Sequence, residues 1–319
     1  MAWRSLAAAL LLGLARPGAA APDAREDAFL RAHLWGQVRA LPKGRRPVVG
    51  LVLSAGAVRG MAHIGVLQVL ENADFPVDVV AGTSMGAVVG SLYASGIGMD
   101  ALREIPRDLR LSSGSNYSRV RLLGLLLSES LLSTENLEDV LKEKIGDLRF
   151  DQIGKPFACV AMDIRTGERI IFREGPLAPA VRSSMNLPGI FKPVLYRHRY
   201  LVDGGVVDYV PVDAARLLGA DWVIASVTEG DFSRALPGSV LSTLQQVIDI
   251  RGAILSRQQR NEADMVIEPA VGELEYYDVE RAKEAMTAGI VAARAGLDEA
   301  KDRLILKALP QILASWPAR

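Results

Sequence analysis

Twice in quick succession a short apolar run stops at small residues and gives way to helical spacing. "PVVGLVLS" precedes a helix expected from about Val58 to Asn72, and "VDVVAGTS" precedes one expected from Met85 to Ser95. β-Branched runs bounded by Gly and Pro, alternating with amphipathic stretches, are the pattern of βαβ units, whose parallel strands are buried on both faces. The expected class is therefore α/β: three layers, with a mostly parallel central sheet flanked by helices. Further strand candidates are "PFACVAMDI", "ERIIF", "YLVDGG", "DWVIASV" and "DMVIEP", with long helices expected from about Leu241 to Glu262 and from about Val279 to Leu309.

The ends of the chain read differently from this body. "MAWRSLAAALLLGLARPGAAAP" has a positive start ending at Arg4, an apolar stretch from Leu6 to Ala15 and small residues from Gly18 to Ala21. That order is the signature of a secretory signal peptide, here residues 1–20 with a cut near Ala20. The expected location is exported, periplasmic or secreted. The apolar stretch is short for a bilayer span, and an uncleaved N-terminal anchor is the alternative. Residues 21–46 read as a helix and a linker. Residues 47–319 read as one domain, with a motif-bearing core at about 48–227 and a C-terminal helical part at about 235–319.

Thirty-seven Lys and Arg balance 37 Asp and Glu, so there is no net field of the kind that draws nucleic acid, and such a partner is excluded. The single cysteine, Cys159, rules out an internal disulfide and sits in an apolar run, where a thiol is buried and inert.

Chemistry is concentrated in three short stretches. In "VVAGTSMGAVVG" the residues Gly82, Ser84 and Gly86 form G-x-S-x-G between a strand and a helix, the arrangement that lifts a serine hydroxyl out of a sheet on a sharp turn. A serine nucleophile needs a base, and none of the three histidines is well placed. His33 is in the N-terminal segment, His63 lies inside the first helix as either a packed residue or a base, and His198 stands in "YRHRY" with no histidine after it. The carboxylate candidate is Asp203, at a strand end before Gly204 and Gly205. It can reach the nucleophile turn or simply cap its own turn; acting as base, it must be partly desolvated. The third stretch, "SAGAVRG", breaks a strand at small residues before a helix, which aims backbone N–H groups at a negative charge.

"LSAGAVRGMAHIGVL", "GTSMG", "VRSSMNLPGIFKPV" and "DGG", in this order, resemble the patatin-like phospholipases from about Val48 to Val227, and more loosely through to the C-terminal helix. The resemblance implies a lipid acyl hydrolase with a Ser-Asp dyad. Ser84 would form the acyl-enzyme, and Asp203 would take its proton and then activate water. Ala55, Gly56, Ala57, Val58, Arg59 and Gly60 would form the oxyanion loop. The implied substrate is a phospholipid, a lysophospholipid or another fatty-acyl ester met at a lipid surface, with no metal and no cofactor.

The chain departs from the family pattern at Ala55 and Ala57, which occupy the first two Gly positions of a G-x-G-x-x-G frame. A Cβ there costs about 1 kcal/mol if φ must be positive. A catalytically impaired lipid-binding protein of the same fold is therefore one alternative, and an acyltransferase is another. Asp208 and Tyr209 replace a frequent asparagine, with little catalytic effect expected. Arg59 either adds positive potential at the loop or bridges to a surface carboxylate. The "LLGLLL" patch is either core or a lipid-facing flap.

Overall fold

The structure, a computed structural model, describes residues 24–112, 134–231, 237–238, 240–275 and 279–316. The leader and the "LLGLLL" patch lie outside the described residues. The chain forms two compact units: Val48–Ala300, and a smaller one made of Met1–Pro47 with Lys301–Arg319. The last stretch, expected with the main domain, thus groups with the N-terminal segment.

The large unit is built on one sheet of β1 Val49–Leu53, β2 Val79–Thr83, β3 Phe157–Asp163, β4 Arg169–Phe172, β5 Val194–Tyr196, β6 Arg199–Asp203, β7 Trp222–Ser226 and β8 Met265–Ile267, in the order β5-β6-β3-β2-β1-β7-β8 with β4 also on β3. β3, β2, β1, β7 and β8 run parallel. β4, β5 and β6 join antiparallel, an addition the apolar pattern did not disclose.

The helices of this unit begin with α2 Ala62–Asn72, α3 Met85–Ala94, α4 Met99–Arg103, α5 Ile105–Ser112 and α6 Glu135–Ile145; the smaller unit holds α1 Ala24–Ala40. They continue with α7 Leu177–Ser184, α8 Val212–Leu217, α9 Val240–Gln259 and the first part of α10 Ala282–Ala314, whose residues from Lys301 on belong to the smaller unit. Strand alternation explains the three layers. Val79 and Ala81 share a buried cluster with Ala214 and Ala215 of α8. Val80 and Leu53, on the opposite face, lie against Gly90 of α3. In the smaller unit, α1 buries Leu34 and Val38, Arg31 pairs with Asp302 at 3.4 Å, and the Lys301 ammonium stands over the Trp35 ring. No helix among the described residues is long and apolar enough to cross a membrane.

One register decides where the site forms. On β3, Val160 faces Thr83 of β2 while the next residue, Ala161, faces Asp203 of β6. β4 overlaps both partners' positions on β3, so it occupies one edge, and β2 and β6 share the other. β2 runs parallel to β3 and β6 antiparallel, so their C-terminal ends meet head to head beside Val160 and Ala161.

Candidate active site

Ser84 follows β2 and Asp203 ends β6, so the head-to-head arrangement puts them in contact. Ser84 Oγ donates to Asp203 Oδ2 at 2.6 Å, across 119 residues of sequence. Asp203 Oδ1 accepts from Gly205 N–H at 2.8 Å. Both side chains are buried. Burial raises Asp203 from its ordinary 3.8 to about 6, against the lowering effect of the hydrogen bonds from Ser84 and Gly205. This is the desolvated carboxylate a serine base requires.

The turn under Ser84 is strained: φ is 56° and ψ −122°, a conformation side chains avoid. It survives because its neighbours have no Cβ. A methyl on Gly82 would stand 2.3 Å from the Gly86 carbonyl oxygen, and one on Gly86 would stand 2.2 Å from the Leu53 oxygen. Behind Asp203, a Cβ on Gly204 would meet the Val160 oxygen at 2.3 Å. Gly82, Gly86 and Gly204 therefore serve close backbone approach.

The loop after β1 runs into a 3-10 turn, Ala57–Met61, and then α2. Its peptide planes are oriented by their carbonyls. The Ala55 oxygen accepts from Ser54 Oγ at 2.8 Å and from Thr228 Oγ1 at 3.0 Å, and the Gly56 oxygen accepts a long bond from Arg59 Nε at 3.4 Å. In a trans peptide the N–H points opposite the C=O, so the N–H groups of Gly56 and Ala57 are turned away from these anchors. The first N–H groups of a helix have no acceptor within it, which leaves Gly56, Ala57 and Val58 as donors. Arg59 and Gly60 fall within the 3-10 ladder.

Ala55 needs correction: its N–H is bound to the Tyr209 oxygen at 2.9 Å, so it is not an oxyanion donor. The two alanines also differ in conformation. Ala57 stands at φ 47°, where glycine is favoured, whereas Ala55 is not in the left-handed region.

Arg59 is buried, and its guanidinium pairs with Asp249 of α9 at 2.8 Å. It braces the loop from inside. Asp208 is buried and bonded to Arg169 and Gln259, and Tyr209 supplies the Ala55 acceptor while its hydroxyl donates to the Thr228 oxygen at 2.7 Å. Both hold structure around the loop.

The histidines are elsewhere engaged. His63 is fully buried, with Nε2 at 3.0 Å from the Ser54 oxygen and Nδ1 at 2.8 Å from Ser226 Oγ. A carbonyl only accepts, so Nε2 carries the proton and Nδ1 accepts from Ser226. Burial lowers His63 to about 4, and both ring nitrogens are occupied, so the packed reading holds. His198 lines a cavity of about 310 Å³ with Ile171, Tyr196 and Leu201, which includes neither Ser84 nor Asp203. His33 lies on α1, in the other unit. Cys159 is fully buried on β3, with its thiol pushed up by desolvation. Among the described residues no cluster of His, Cys, Asp or Glu is arranged to hold a metal.

Two positioning residues escaped the sequence reading. Ser84 N–H donates to Ser184 Oγ at 3.0 Å, and Asp203 N–H donates to the Asn186 oxygen at 2.9 Å. Both belong to "RSSMN" at the end of α7. Asn186 is itself fixed by Thr134, whose hydroxyl donates to its Oδ1, and by the Lys192 oxygen. One segment thus holds the backbones of both dyad residues.

A family profile described as patatin-like phospholipase matches residues 51–216. An NTE family protein of Mycobacterium tuberculosis is 34% identical over 185 residues, covering 58% of this chain and 50% of that protein. Lysophospholipase nte1 of Emericella nidulans is 32% identical over 204 residues, 63% of this chain and 13% of the longer protein. The chain spans half the length of its mycobacterial relative. The crystal structure of VipD from Legionella pneumophila superposes with a TM-score of 0.50 over 80% of this chain and 67% of that one, at 15% identity. At that identity the likeness concerns the fold.

Proposed function

Because the chain belongs to the patatin-like phospholipase family, we propose that it is a serine lipid acyl hydrolase acting on phospholipids, lysophospholipids or other fatty-acyl esters. The observation that carries the reading is the 2.6 Å bond between Ser84 Oγ and a buried Asp203 raised to about 6.

The chemistry follows from the geometry. Ser84 Oγ attacks the acyl carbonyl as its proton passes to Asp203 Oδ2. The carbonyl oxygen becomes an oxyanion held by the Gly56 and Ala57 N–H groups, a contribution worth on the order of a hundredfold or more per donor. Collapse expels the alcohol, which takes the proton from Asp203 and leaves an acyl ester on Ser84. Asp203 then removes a proton from water, whose attack releases the fatty acid and returns the proton to Ser84.

The impaired and acyltransferase readings share this dyad. Labelling with a fluorophosphonate tests the proposal: an adduct on Ser84, with free fatty acid released by the wild type and not by Ser84→Ala, supports it. An unmodified Ser84, or acyl product found only on an added alcohol, overturns it. Export belongs to the same proposal on the strength of the leader pattern at residues 1–20. Recovery of the expressed full-length chain in uncleaved form within the producing cells would count against it.

A further inference from the structure

Helix α9 carries an apolar face that the described residues leave partly open. Val240, Leu244, Val247, Ile250 and Ile254 are 37–74% exposed and recur at spacings of three and four, so they line one side of the helix over about 20 Å. Isolated exposed apolar residues are ordinary; a contiguous row of five is the mark of an interaction surface.

The charges on this helix identify the partner. Its only acid, Asp249, is turned to Arg59 and is itself largely buried. The charged residues left on the exposed side are Arg251 and Arg257. An apolar stripe to whose exposed side its own helix adds only guanidinium groups fits an anionic lipid surface, where the chains meet the stripe and the headgroups meet the arginines.

The helix is also tied to both halves of the site. Asp249 pairs with Arg59, which anchors the Gly56 oxygen. Arg251 Nε donates to the Val206 oxygen at 3.3 Å, in the turn after Asp203, and Gly252 packs on the Tyr209 ring, where a Cβ would stand 2.7 Å away. A surface that seats α9 therefore seats the loop and the aspartate turn with it.

We infer that the exposed face of α9 is the surface by which this protein docks on anionic lipid bilayers. The inference rests on the proposed lipid hydrolase reading and adds the site of contact and the lipid charge. Its test is flotation of the full chain, as Ser84→Ala so that turnover plays no part, with vesicles of phosphatidylcholine alone or with a quarter phosphatidylglycerol.

The expected result is tighter binding to the anionic vesicles, weakened at least tenfold by Val247→Asp with Ile254→Asp. Arg257→Glu should remove most of the preference for phosphatidylglycerol. Circular dichroism and thermal midpoints matching the parent establish that the variants fold; if the double variant unfolds, Val247→Ser with Ile254→Ser takes its place. Undiminished binding by the folded variants, no binding by the parent, or a dimer in light scattering that the same substitutions dissociate would overturn the inference. Turnover of a monomeric ester by the wild type reports separately on the hydrolase reading.

Discussion

Ser84 Oγ and Asp203 Oδ2 stand 2.6 Å apart, and among the described residues no ion pair reaches that carboxylate. Among the described residues its one other partner is the Gly205 N–H. A base raised to about 6 by burial is ionised at neutral pH and still basic enough to receive the Ser84 proton. The expected profile of kcat/KM on a monomeric ester is flat above about pH 7 and falls tenfold per pH unit well below 6. Asp203→Asn should lower it by at least about a hundredfold. A profile without an acid limb near 6 would rule Asp203 out as the base.

The same burial makes Asp203 costly to the fold. It binds its proton more tightly in the folded state, at about 6, than in the unfolded chain, at the ordinary 3.8. Its contribution to stability is therefore full below pH 3.8 and is lost as pH rises through about 6, a difference of about 3 kcal/mol. Asparagine keeps the shape and can donate to Ser84 Oγ while accepting from Gly205. Asp203→Asn should thus be more stable than the parent by about 1–3 kcal/mol at pH 8, with the gap closing by pH 4. Urea unfolding across that range measures it; a gap independent of pH would mean the ionised carboxylate costs nothing.

The two alanines of the loop should respond differently to glycine. Ala57 holds φ at 47°, so Ala57→Gly relieves a left-handed Cβ and should stabilise by about 1 kcal/mol. Ala55 has no such strain and its N–H is committed to Tyr209, so Ala55→Gly should be neutral or slightly destabilising. Turnover should change little in either, because the carbonyl anchors on Ser54, Thr228 and Arg59 already aim the N–H groups. A rise of tenfold or more in kcat for Ala57→Gly would show that its Cβ displaces a donor.

Ser184 offers a direct test of the positioning segment. Its hydroxyl is buried and accepts the Ser84 N–H, so Ser184→Ala leaves that donor unpaired at a cost of about 1–3 kcal/mol. Because the lost bond holds the nucleophile turn, kcat should fall with KM little changed. An equal kcat would make Ser184 a packing residue only.

What could be read from the sequence was local. Gly82, Ser84 and Gly86 sit within five residues between a strand and a helix, so their turn is written in one stretch, and Asp203 is marked by its strand end and the glycines after it. The rest depends on contacts between distant segments. Nothing near Ser184 indicates that it meets Ser84 a hundred residues earlier. The spending of the Ala55 N–H on Tyr209 is equally invisible from the loop. Of the antiparallel strands, β4 and β6 were visible as apolar runs, but β5 was missed because it has three residues and pairs through a hairpin whose turn puts Arg197 at φ 56°. Helical spacing placed His63 on α2 but could not say what its two nitrogens would face.

His63 supplies the last prediction. Its ring joins α2 to the ends of β1 and β7 through the Ser54 oxygen and the Ser226 hydroxyl, and full burial disfavours the charged form of that ring. The unfolded chain binds the proton at about 6.5 and the folded one at about 4, so its contribution is full above pH 6.5 and is lost as pH falls through about 4. The amount at stake is about 3 kcal/mol. His63→Ala should lower stability at pH 7 by about 2–4 kcal/mol, through a cavity and two unpaired partners, and should flatten the loss of stability between pH 6.5 and 4. The acid limb of kcat/KM near 6 should stay in place. Urea unfolding at pH 7 and pH 5, with the activity profile of the same variant, separates the roles: if the limb disappears with the ring, His63 is coupled to the base after all.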